Sequence, residues 1–130
     1  MEHLTTDQLA RLRARLEEER ERLVRRDEVQ RTFAPVNGAQ PDVGDQQDAA
    51  AVEAAHVTEL SLQDHDRARL REVDEALHRI QLGTYGVCED TDEEIPFERL
   101  WAEPTARLTV AAKELREREA GERADLRLAY

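Results

Sequence analysis

A single cysteine, Cys88, leaves this chain no partner for an intramolecular disulfide. No apolar run approaches the roughly 18 residues needed to span a bilayer, and no signal peptide or lipid anchor opens the chain. A cytoplasmic protein without membrane contact is expected. Serine occurs once, at Ser61, and no Gly-rich phosphate loop is present. His3, His56, His65 and His78 share no ligand spacing with one another. Nothing here points to catalysis, and no enzyme is expected. Basic residues are also in deficit: 19 Lys and Arg against 30 Asp and Glu give a net charge of −11. A direct grip on nucleic acid needs cations to displace phosphate counterions, so that function is disfavoured. The charge suits a partner with a basic surface or channel.

Aromatic side chains are scarce too. Three of them, Tyr85, Phe97 and Trp101, fall within 17 residues, which places a small core there. Ile95, Phe97, Leu100, Trp101, Leu108 and Val110 are its expected members. Charged residues make up 38% of the 130 positions and apolar ones 39%, a balance better suited to long exposed helices than to a globule. A monomer is expected.

Those helices can be read directly. Thr5 and Gln8 have the spacing of a capping box. Leu9, Leu12, Leu16 and Leu23 then recur at coiled-coil spacing, interrupted at Glu19, and predict a helix from about residue 6 to 33. Pro35, Gly38, Pro41 and Gly44 break the pattern and make a loop. A second helix is predicted from near Asp45 to about Leu82, with a clear seam at Leu70, Val73, Leu77 and Ile80 and a weaker one at Val52 and Leu60. At 1.5 Å per residue it would span roughly 55 Å. Gly83 and Gly86 end it. Two such helices make an antiparallel hairpin. Short strands are possible near Val87 and at 95–97. Pro104 is expected to open a third helix that ends near Gly121, with 122–130 as a tail.

Two short stretches carry the functional signal. Asp45 and Asp48 open the second helix, where Asp45 suits an N-cap and Asp48 complements the helix dipole. Positions 88, 91, 109 and 112 have the C-x2-C…C-x2-C spacing of a tetrahedral zinc site, but they read Cys88, Thr91, Thr109 and Ala112. Structural zinc contributes about 10–16 kcal/mol only with a full ligand set. One cysteine and two threonines do not make one, so no zinc or other cofactor is expected. The lone Cys88 has no evident basic neighbour to favour its thiolate.

The phrases around these positions, Tyr85-Gly86-x-Cys88-Glu89, Glu94-Ile95-Pro96-x-x-Arg99-Leu100 and Pro104-Thr105-Ala106-x-Leu108, closely resemble the globular domain of the DksA/TraR family of RNA polymerase-binding regulators. Asp45, Asp48 and Ala50 match the Asp-x-x-Asp-x-Ala that DksA-like proteins carry at the tip of their coiled coil. The resemblance covers about residues 5 to 120 and departs from the family at three of the four zinc ligands. It implies a mostly α fold: a coiled-coil hairpin (1–83, tip loop about 34–47), a degenerate zinc finger with a C-terminal helix (84–121), and a tail. It implies RNA polymerase as partner, with the acidic tip entering the secondary channel to alter initiation. In DksA-like proteins, cations near the hairpin base help to hold the alarmone ppGpp. Ungapped alignment puts those positions at Glu72, Glu103 and Lys113, so two of the three are reversed in charge here. A non-catalytic coiled-coil adaptor and a Gre-like channel factor stand as alternatives.

Overall fold

The computed structural model describes residues 1–33 and 46–129. Four helices account for most of them: α1 (Thr6–Phe33), α2 (Gln46–Leu82), α3 (Phe97–Ala102) and α4 (Val110–Ala129). The capping box forms as expected. The Thr5 N–H donates to Gln8 Oε1 and the Gln8 N–H donates to Thr5 Oγ1, both at 3.1 Å, which satisfies two amides that α1 would otherwise leave unpaired. At its other end α2 closes in a Schellman motif: Thr84 N–H donates to Arg79 O and Gly83 N–H to Ile80 O, with Gly83 at φ 76°.

The chain divides into two compact units, 18–74 and the remainder (1–17 with 75–130). Within 18–74 the segments of α1 and α2 run antiparallel. Arg20 meets Asp74 at 2.6 Å, whereas further along α1 Arg26 meets Asp66 at 3.5 Å and Asp27 meets Arg67 at 3.8 Å, so higher numbers on α1 pair with lower ones on α2. Leu23 and Val73 are buried. The break in the leucine stripe has a structural reason: Glu19 reaches across to Arg69 in a two-bond pair at 2.5 and 3.1 Å. A polar pair inside an apolar seam costs stability and fixes the register in which two helices can align. Further along α2, Val52, Val57, Leu60 and Leu62 are exposed, which agrees with the weak seam read there.

The other unit holds a small core. Leu12 and Leu16 from α1, Ala76 and Ile80 from α2, and Tyr85, Cys88, Ile95, Leu100, Ala106 and Ala112 beyond them are all buried. Each large one contributes about 1.5–3 kcal/mol by leaving water. Of its six expected members only Ile95 and Leu100 are buried; Phe97 and Leu108 are half-buried, and two lie outside altogether. Trp101 and Val110 are exposed, because α3 buries only Leu100 and the backbone turns α4 so that Ala112 faces inward. Their places are taken by Tyr85, Thr105 and Ala106. The Tyr85 hydroxyl donates to Pro104 O at 2.7 Å, and burial pushes that phenol up to about 12.

Three local expectations are corrected. Among the described residues, the only β pairing in this region is a single bridge from Val87 to Glu94, and Phe97 starts α3 rather than ending a strand. Pro104 is buried in a turn and does not open α4; Thr109 does, its Oγ1 accepting the Ala112 N–H at 3.3 Å. Helix α4 also runs through Gly121 to Ala129, since a glycine that keeps helical dihedrals weakens a helix by only about 1 kcal/mol.

Candidate functional site

Residues 83–112 fold as a pair of knuckles without the usual ligands. Gly86 sits at φ 81°. A Cβ there would lie 3.3 Å from both His3 and Leu4, so backbone and packing both select glycine. The loop then doubles back on itself: Cys88 N–H donates to Glu93 O at 2.8 Å, Asp92 N–H to Cys88 O at 3.0 Å, and Ile95 N–H to Gly86 O at 2.8 Å. His3 fastens the N-terminal residues to the same loop through an Nε2–H donated to Ile95 O at 2.7 Å. The second knuckle approaches through Glu89 N–H, which donates to Arg107 O at 2.9 Å.

The four positions spaced like zinc ligands do come together. The Thr109 hydroxyl lies 3.9 Å from Cys88 Sγ, and Ala112 is buried beside it with its N–H on Thr109 Oγ1. Burial by itself pushes the Cys88 thiol up. The Thr91 hydroxyl, with backbone hydrogen bonds from Thr109, Thr91 and Asp90, outweighs that and brings it down to about 7. Hydrogen bonds to sulfur thus persist where a metal would otherwise hold the thiolate. The donor set itself does not fit a four-coordinate zinc site. It offers one sulfur, two hydroxyls and a methyl group, and among the described residues no three His, Cys, Asp or Glu side chains converge on a metal position.

Ion pairs that sequence reasoning missed cross the two knuckles. Arg116 on α4 grips Asp90 through both carboxylate oxygens, the Nε bond being 2.6 Å. That pair holds Asp90 below the usual carboxylate range and Arg116 above its ordinary value. Arg107 bridges Glu75 and Glu89, at 2.9 Å to the latter. Arg116 also brings a cation toward Cys88, a neighbour that no local pattern announces because 28 residues separate the two.

The remaining sequence-selected residues are dispersed. Asp45 lies outside the described residues. Asp48 falls in the first turn of α2, its side chain outside the described set, and Ala50 is exposed. Glu72 is exposed and pairs with Arg69 at 3.4 Å within the 18–74 unit. In the other unit Glu103 sits 4.0 Å from Arg99, and Lys113 is exposed on the first turn of α4. No described helix is long and apolar enough to cross a membrane.

An antiparallel helix pair and a two-knuckle unit occur together in a known group of proteins, and comparison with characterised proteins agrees. Residues 8–80 match the family profile "DnaK suppressor protein DksA, N-terminal domain", and 83–118 match "Prokaryotic dksA/traR C4-type zinc finger". Escherichia coli K12 "RNA polymerase-binding transcription factor DksA" is 34% identical over 116 residues, covering 89% of this chain and 76% of that protein. Bacillus subtilis "General stress protein 16O" is 51% identical over 57 residues, covering 44% of this chain and 35% of that protein. The solved structure of transcription factor DksA2 from Pseudomonas aeruginosa superposes with a TM-score of 0.77 at 31% identity, covering 88% of this chain and 87% of the other. The chain therefore belongs to the DksA/TraR family, and its fold is the family's coiled-coil hairpin with a small base.

Proposed function

We propose that this chain is a DksA-like transcription regulator that binds RNA polymerase in the cytoplasm and inserts its hairpin tip into the secondary channel. The observation that carries the reading is the match of the hairpin, residues 8–80, to the DksA N-terminal domain, joined to Asp45, Asp48 and Ala50 at the tip positions. In this reading 1–83 is the probe and 84–121 is the seat. Catalytic magnesium and mobile basic elements lie near the inner end of the channel, where two added carboxylates pair with cations or weaken their grip on substrate. Unstable promoter complexes would then have shorter lifetimes. No bond is made or broken by this protein, and with a charge of −11 it works without gripping DNA.

The base performs this role without zinc. Support comes from the Cys-Thr-Thr-Ala set and from the hydrogen bonds and ion pairs that link the two knuckles. A base of that kind keeps its shape when zinc is scarce. The test is co-purification with core RNA polymerase followed by measurement of promoter-complex lifetime. Binding with a shortened lifetime supports the reading. Binding without any effect on initiation favours a coiled-coil adaptor, and stimulated transcript cleavage favours a Gre-like factor.

A further inference from the structure

The tryptophan of this chain is displayed rather than buried. Trp101, the only one, is 37% exposed on α3. Phe97 stacks against it with ring centroids 5.9 Å apart and planes 26° apart. Arg11 and Arg15, one helical turn apart on α1, place their guanidinium carbons 5.0 and 4.6 Å from the indole centroid. Arg11 also lies 6.0 Å from the Phe97 ring. The two arginines are not equivalent. Arg15 is half-buried and donates to the Trp101 carbonyl oxygen at 2.6 Å. That bond ties α1 to the last turn of α3, where free carbonyls favour a cation.

Arg11 has no comparable structural assignment. It is exposed and, among the described residues, has no carboxylate within ion-pair distance, although acidic residues outnumber basic ones by 30 to 19 in this chain. Stacking on a ring uses the face of a guanidinium and leaves its in-plane N–H donors free. The result is a pre-oriented fork beside an exposed indole, the pairing of residue types enriched where protein interfaces concentrate their binding energy. A carboxylate fits that fork bidentately.

We propose that Arg11 and Trp101, backed by Phe97, form a docking surface for a carboxylate-bearing segment of a protein partner. This rests on the polymerase reading above, and the partner is then RNA polymerase. Two features favour a protein carboxylate over a nucleic-acid phosphate. The chain's negative field opposes a polyphosphate backbone, and the apolar ring surface next to the fork matches a protein surface.

The experiment measures affinity for core RNA polymerase with the parent, Arg11→Glu and Arg11→Gln, together with thermal melting and hydroxyl-radical oxidation of Trp101 in the free and bound states. The expected result is binding weakened at least about ten-fold by Arg11→Glu, a smaller loss with Arg11→Gln, melting like the parent, and protection of Trp101 in the complex. Should Arg11→Glu fail to fold, Arg11→Gln decides by weaker binding against parent-like binding. If the parent binds while the folded variants bind equally well, or Trp101 stays open to oxidation, the docking surface is overturned and the polymerase reading stands. If the parent itself does not bind, both fall together.

Discussion

The Thr109 hydroxyl occupies the space between Cys88 Sγ, 3.9 Å away, and the Ala112 N–H, 3.3 Å away. One hydroxyl thereby caps α4 and approaches the sulfur of the opposite knuckle. In a four-cysteine finger the residues at these positions would share a metal; here Thr109 offers a hydroxyl in place of a thiol.

The fold is expected to be independent of zinc. Elemental analysis should find well below one zinc per chain, and a strong chelator should leave the melting temperature and helicity unchanged. Loss of helicity on chelation is the result that removes this claim, because a metal-built finger unfolds when its ion is withdrawn.

Stability should depend on pH through Cys88. Its folded value of about 7 lies below the usual thiol value of 9.0, so the folded state releases this proton earlier than the unfolded chain does. The contribution is therefore fully present above about pH 9 and is lost as pH falls through about 7. Comparison of the parent with Cys88→Ala should show a stability difference that grows from pH 7 to 9, by up to about 2 kcal/mol. A difference that stays flat over that range contradicts the hydrogen-bonded thiolate. Full burial of Cys88 further implies slow alkylation in the folded chain, whatever its proton state.

The Glu19–Arg69 pair should cost stability when broken singly and less when replaced as a pair. Glu19→Ala removes both hydrogen bonds to Arg69, whose side chain is 26% exposed, with an expected loss of about 1–3 kcal/mol. Glu19→Leu combined with Arg69→Leu continues the leucine stripe and should recover most of that loss. Denaturant melts of the two single variants and the double variant give the coupling.

Asp48→Asn should separate folding from function at the tip. The substitution keeps size and much of the capping capacity, so stability should change by under about 1 kcal/mol. Polymerase affinity should persist, whereas the effect on promoter-complex lifetime should disappear. Parent-like regulation by both Asp45→Asn and Asp48→Asn would favour the adaptor reading.

Cooperation with ppGpp should be weak. If Glu72 and Glu103 stand where DksA-like proteins carry cations, as ungapped alignment has them, their carboxylates would repel a phosphate cluster even when partly screened. Glu72 is partnered by Arg69, and Arg107 is engaged by Glu75 and Glu89, so these neighbouring cations already have carboxylate partners. Transcription from a stringently controlled promoter, at saturating protein with and without ppGpp, should show near-additive effects. Combined Glu72→Lys and Glu103→Arg substitution should create synergy. Strong synergy in the parent would show that other residues hold the nucleotide.

Much of this molecule is written in local sequence. The bounds of α1 and α2 follow from Thr5, Gln8, the leucine spacing and Gly83, because caps and helical periodicity act over four residues or fewer. The knuckle positions were equally legible, since Cys88, Thr91, Thr109 and Ala112 keep a fixed spacing and their neighbours keep the family's phrases. What the sequence by itself could not determine depends on groups brought together from far apart. Arg116 on Asp90, Arg107 between Glu75 and Glu89, and Arg69 across from Glu19 are ion pairs whose partners only the folded chain selects. Trp101 shows the same limit from the other side: its hydrophobicity argued for burial, but α3 is one short helix whose inward face has room for Leu100 alone. Tertiary packing turned the indole outward against Arg11 and Arg15, and that geometry, absent from any local pattern, supplies the proposed docking surface.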